Sequence, residues 1–74
     1  MLNEERVAWL IVHEKVVGTI FVTITKIDEK YIYGTYEDKR GIHHVKFSSR
    51  TGKQWRVKKW CNYLWLTQQK VKRL

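Results

Sequence analysis

Thr19-Ile20-Phe21-Val22-Thr23-Ile24-Thr25-Lys26-Ile27 decides the fold class. Ile20, Val22 and Ile24 fall on one side of an extended chain, and Thr19, Phe21, Thr23 and Thr25 on the other, which is the two-residue period of a β-strand. Nearly every position is β-branched; such side chains crowd the preceding turn of a helix and fit a pleated surface. Asp28-Glu29-Lys30 follows as a polar turn, and Tyr31 to Tyr36 returns as a second strand, so the two make a hairpin. Gly34 inside the returning strand implies a bulge or a close backbone approach.

Working outward, Val7 to Val12 is short, apolar and rich in β-branched residues, and it reads as a buried strand, although periodicity alone does not separate strand from helix at this length. Glu37 to Gly41 is a charged turn into Ile42–Ser48, where Val45 and Phe47 alternate with His44 and Lys46. Ser49-Arg50-Thr51-Gly52 has turn chemistry, with Gly52 able to take positive φ. Gln54 to Lys58 alternates again, with Trp55 and Val57 read as inward and Gln54, Arg56 and Lys58 as outward. The C-terminal stretch has two parses. Val57, Trp60, Leu64, Thr67, Val71 and Leu74 fit one long amphipathic helix. In the other, Tyr63 to Leu66 is a last strand, Thr67 an N-cap, and Gln68 to Leu74 a short helix. Aromatic density in Tyr63-Leu64-Trp65-Leu66 favours the second, and Lys70, Lys72 and Arg73 would suit the dipole at the end of such a helix.

Five to six short antiparallel strands joined by tight turns imply an all-β fold, a small SH3-like or OB-like barrel with a short C-terminal helix. Residues 1–74 leave room for a single domain only. The order of its segments resembles a group of short phage-encoded β-barrel proteins: Val22 to Ile27 with Lys30-Tyr31-Ile32-Tyr33, then Lys46 to Gly52, then Tyr63 to Thr67. The resemblance covers the chain from about Val16 onward. It implies an SH3-like barrel with a short C-terminal helix and brings no catalytic residues with it. The chain departs from the pattern in its basic Gly52 to Lys59 segment.

Charge is divided unevenly. Among residues 1–37 four basic side chains oppose six acidic ones; among residues 38–74 eleven oppose Asp38 alone, and the whole chain carries +8. A positive half-domain of this density repels itself unless an anionic partner or counterions offset it, and nucleic acid is the commonest such partner. A charged face that only keeps the domain soluble is the bland alternative. Cys61 is the only cysteine, so no internal disulfide forms and a reducing, cytoplasmic setting is expected, in a cell or in a virus-infected host. The acidic start, Met-Leu-Asn-Glu-Glu, lacks a signal peptide's basic region, and Val7–Val12 is far shorter than the ~20 residues that span a bilayer. With no disulfide or metal staple, the 14% aromatic content is the expected source of core stability.

The strongest candidate site is Lys46, Arg50, Lys53, Arg56, Lys58 and Lys59 with Trp55 and Trp60 interleaved. Phosphates take cationic donors spaced along a groove, and exposed rings stack on unpaired bases. If the strands of Lys46 and Arg56 pair, His44, Lys46, Arg56 and Lys58 share a face. The competing reading is a solvated strip with both tryptophans in the core, and the alternation with Arg56 assigns Trp55 there. A second candidate is an aromatic platform of Phe21, Tyr31 and Tyr33 on the outer face of the hairpin, against which stands ordinary cross-strand packing of tyrosines. His43 and His44 are adjacent and face opposite ways; His13 and Cys61 complete no zinc spacing, so no metal or cofactor is expected. No P-loop, nucleophile elbow or GxGxxG is present, and no enzyme is expected. The expected function is therefore nucleic-acid binding, DNA or RNA, through backbone phosphates with weak sequence preference, as monomer or dimer. A rival is a phage-type protein-interaction module acting on a host or phage complex. A third reading, adhesion to an anionic membrane, depends on the long-helix parse with Trp60 and Trp65 as anchors.

Overall fold

The computed structural model describes residues 4–58 and 61–71, with 56–58 described by their backbone alone. Six strands follow one another: β1 (Glu4–Val12), β2 (Lys15–Ile27), β3 (Tyr31–Asp38), β4 (Gly41–Ser48), β5 (Lys53–Lys58) and β6 (Cys61–Lys70). They form one antiparallel sheet in the order β4-β3-β2-β1-β6-β5. The sheet curls into a half-barrel, and its end strands β4 and β5 meet across a seam. No β4–β5 ladder forms among the described residues; instead the Lys46 amide donates to Gln54 Oε1.

Alternation fills the concave side. Ala8, Val22, Ile24, Tyr36, Val45, Phe47, Leu64 and Leu66 form the core, with Leu10, Ile20 and Ile32 packed against it. Phe47, Ile24, Leu64 and Val22 are fully buried, and each such side chain contributes about 1.5–3 kcal/mol. Gly34 is read correctly as a close approach: a Cβ there would lie 2.6 Å from Val22 Cγ1 and 2.7 Å from the Thr23 carbonyl oxygen. The bulge lies opposite it, at Thr25 in β2, where the register steps from Ile24↔Gly34 to Lys26↔Tyr33. Gly52 has φ +77° in the β4–β5 turn, and its carbonyl accepts the Leu66 amide at 2.7 Å.

Three expectations need correction. The C-terminal helix does not form: Cys61–Lys70 is a strand, Val71 donates its amide to the Glu5 carbonyl at 2.9 Å, and residues 72–74 lie outside the described residues. Thr67 does not cap a helix; its hydroxyl donates to the Val7 carbonyl at 2.7 Å and accepts the Gln69 amide at 3.1 Å. A seven-residue helix is costly to nucleate, whereas β1 offers a strand to pair with. Trp55 faces outward, 61% exposed, because β5 pairs Trp55 with Tyr63 and Gln54 with buried Leu64. A one-residue error in register exchanges the faces of a strand. Finally, β4 and β5 meet only at the seam, so Lys46 and Arg56 are not neighbours in a ladder.

Candidate nucleic-acid interface

On the β3–β4 side of the seam a row of outward residues runs across three strands: Lys26 opposite Tyr33, and Tyr33 opposite Lys46. The Thr25 bulge makes this row. Strict alternation would put Lys26 on the same side as core Ile24, and the extra residue turns it outward. Lys46 Nζ lies 4.3 Å from the centre of the Tyr31 ring and Lys26 Nζ 5.4 Å from that of Tyr33. The two tyrosine rings meet edge to face at 6.1 Å. Partial desolvation, then the Asp28 charge, raises the Tyr33 pKa above its ordinary value. Asp28 is held below the usual carboxylate range by the amides of Tyr31 and Lys30, which donate to its Oδ1 at 2.7 and 2.8 Å, and Lys26 adds to this through its charge.

On the β5–β6 side a second cluster forms around one lysine. Tyr63 and Trp65 alternate with core Leu64 and Leu66, so both rings point away from the core. Register places Trp55 beside Tyr63 and Lys53 beside Trp65, with Trp9 of β1 on the far side of Trp65. Trp55 and Tyr63 are 4.6 Å apart, and Trp9 and Trp65 meet edge to face at 5.9 Å. Lys53 Nζ lies 4.8, 5.3 and 5.9 Å from the ring centres of Tyr63, Trp65 and Trp55.

The turn between β4 and β5 joins the two clusters. Ser49 is tied to the β2–β3 turn, its amide donating to the Lys30 carbonyl and its hydroxyl to the Glu29 carbonyl. Exposed Arg50 is thereby held at the end of the sheet where Tyr31 pairs with Ser48. Behind this turn, Arg6, Trp9, Ile32, Arg50, Trp65 and Gln68 line part of a cleft of about 450 Å³.

Of the residues singled out from sequence, Tyr31, Tyr33 and Lys46 come together, Lys53 heads the second cluster, and Arg50 lies in the turn between them. The side chains of Arg56 and Lys58, and Lys59 and Trp60 entirely, lie outside what is described. Phe21 is not part of the tyrosine platform: it pairs with Val7 of β1, upstream of the segment that pairs with β3. Sequence reasoning missed Lys26, Trp9 and Tyr63 as surface residues, took Trp65 as exposed only as a membrane anchor on the long-helix parse, and placed Trp55 inside. Its available signal was the Tyr-Leu-Trp-Leu alternation at residues 63–66, where the leucines are the better core residues.

Ion pairs among the described residues join Arg6 and Lys70 to Glu4, and His43 Nε2 lies 2.8 Å from Asp38 Oδ1; none of these contacts includes Lys26, Lys46, Arg50 or Lys53. His43 also stacks on Tyr36 at 4.9 Å, while the buried Cys61 thiol donates to the Tyr63 carbonyl at 3.2 Å. No group of three His, Cys, Asp or Glu side chains gathers among the described residues.

Sequence and structure together define an all-β half-barrel whose outer face carries lysines set among aromatic rings on both sides of a seam. No family model matches the chain, and no curated protein and no solved structure matches it.

Proposed function

We propose that this protein binds single-stranded nucleic acid, DNA or RNA, along the outer face that straddles the β4–β5 seam. The observation that carries the reading is the placement of Lys26, Lys46 and Lys53, each with its ammonium over a half-buried or exposed ring. A cation over an exposed ring is worth only ~0.5–1 kcal/mol, so it is readily exchanged for a phosphate. An arriving strand then neutralises the ammonium groups while its bases stack on the uncovered rings, each worth ~1–3 kcal/mol. Both contacts ignore base identity, so sequence preference is weak.

Unpaired bases are required because these rings project from a convex surface, where a duplex keeps its bases inside the stack. The curled six-stranded meander, nearly closed at its seam, supports assignment to the small SH3-like barrels and not to the OB-like alternative, which is a Greek-key barrel. The reading places the protein in the cytoplasm, where nucleic acid is accessible and Cys61 remains a thiol. Membrane adhesion loses its support, because the helix it required is a strand over Cys61–Lys70.

The test is direct. Lys46→Glu with Lys53→Glu is expected to abolish binding of a fluorescent single-stranded oligonucleotide while circular dichroism stays native. Unchanged affinity in a folded double variant would remove the proposed contact face.

A further inference from the structure

The least protected edge of this sheet is not at either end of it. Strand β2 pairs with β1 from Lys15 to Ile24, yet its pairing with β3 begins only at Thr23. From Lys15 to Val22 the other side of β2 has no strand against it among the described residues. There β2 and β3 part around a cleft of about 350 Å³ lined by Glu5, Ile20, Phe21, Thr23, Tyr36 and Glu37.

The same segment is unusually apolar for an edge. Val16, Val17 and Phe21 are 53%, 54% and 52% exposed, outside the aromatic face already described. The register step from Leu10↔Gly18 to Ile11↔Val16 leaves Val17 as a bulge, yet this bulge presents a valine to water rather than a charge. Edges are ordinarily guarded by charged side chains, proline or a covering element. Residues 16–22 contain neither a charge nor a proline. By contrast, the ends of the sheet cover one another, through the Lys46–Gln54 bond.

We propose that this edge is covered by the same edge of a second copy, giving an antiparallel, two-fold dimer through residues 16–22 of β2. A strand that is its own partner makes an isologous contact, with the main chain supplying the hydrogen bonds and the exposed valines and Phe21 the buried apolar surface. Charge favours this occupant. Antiparallel pairing about the middle of the segment sets Lys15 of each copy at the other's Phe21–Thr23 end, where Glu5 and Glu37 line the cleft. The segment also lies in the half of the chain with little net charge, away from the basic strands. The inference does not rest on nucleic-acid binding, although a dimer would present two aromatic faces to one strand and raise its avidity.

Sedimentation velocity on the full chain over a concentration series tests it. The expected result is a reversible monomer–dimer equilibrium whose dissociation constant rises at least about tenfold in Val17→Lys and in Phe21→Lys. Ile42→Lys, at a 65% exposed apolar position on β4, is expected to leave the equilibrium unchanged. Should Phe21→Lys perturb folding, Val17→Lys in the bulge still decides the question, and amide hydrogen exchange supplies a second readout, with protection at residues 18–22 growing with concentration. A monomer at every concentration, or a dimer indifferent to both β2 substitutions, overturns the proposal. So does a monomer that instead takes an added extended peptide on this edge.

Discussion

Replacing Trp55 with alanine separates two pictures of this protein with one variant. In the structure Trp55 is 61% exposed on β5, its ring 4.6 Å from that of Tyr63 and within 5.9 Å of Lys53 Nζ. Removing it deletes one cross-strand aromatic pair and one exposed cation–ring contact, each worth about 0.5–1 kcal/mol, and opens no cavity. The expected loss of stability is therefore about 1–2 kcal/mol. Had Trp55 been a core residue, as its alternation with Arg56 suggests, the loss would be about 3–5 kcal/mol. Binding behaves oppositely: loss of one stacking ring is expected to weaken a single-stranded oligonucleotide by ~1–3 kcal/mol, or roughly 5- to 150-fold. Trp55→Phe keeps a stacking surface and is expected to recover most of that affinity. Urea unfolding and fluorescence anisotropy on the same three proteins supply both numbers. A Trp55→Ala variant that loses core-sized stability, or binds like the parent, refutes the outward placement or the stacking role respectively.

Other expectations follow from single contacts. Gly34→Ala puts a methyl group 2.6 Å from Val22 Cγ1 and 2.7 Å from the Thr23 carbonyl, and is expected to cost about 2–3 kcal/mol or more; an unshifted urea midpoint would disprove the close approach. Glu14 holds φ 63° in the two-residue β1–β2 turn, so Glu14→Gly is expected to gain about 0.5–1 kcal/mol, a melting rise of about 2–8 °C, and a lower melting temperature would contradict the turn geometry. Asp28 has a folded-state pKa below its unfolded value near ~4, so its contribution is complete above that value and lost as pH falls through the folded one. The melting temperature of the parent should accordingly fall more steeply with acid than that of Asp28→Asn, the two curves converging at the lowest pH; parallel curves would remove the role of this carboxylate.

The strands were legible wherever one face is buried and the other wet. Ile20, Val22 and Ile24 in β2, and Val45 and Phe47 in β4, alternate with polar partners, and burial enforces that pattern. Two kinds of information were not in the pattern. The first is pairing order: β1 and β2 join through His13 and Glu14, at φ 49° and 63°, without the glycine or asparagine that usually marks a tight hairpin, so Lys15–Gly18 carried no strand signal. The second is local register. The Thr25 bulge reverses the outward set in β2, and Gln54 takes an inward place because its amide oxygen caps the Lys46 N–H at the seam. Polar residues inside and tryptophans outside are contrary to a hydrophobicity reading, and both depend on partners distant in sequence. The candidate surface was thus half legible. Tyr31, Tyr33, Lys46, Arg50 and Lys53 carried a charge or spacing signal. Lys26, Tyr63 and Trp65 read as ordinary strand residues until the sheet brought them together.

The central claim is that lysines and rings on one outer face hold a polyanion, and the salt dependence of single-strand affinity tests it most directly. Lys26, Lys46, Arg50 and Lys53 alone imply that log K falls with log salt at a slope near −3, at about −0.7 per phosphate neutralised, steepening toward about −5 if Arg56, Lys58 and Lys59 join them. Lys46→Ala with Lys53→Ala, which removes two phosphate contacts without reversing their charge, should weaken binding and flatten that slope toward about −1.4. An affinity that does not respond to salt, or a slope unchanged in the double variant, would contradict the account.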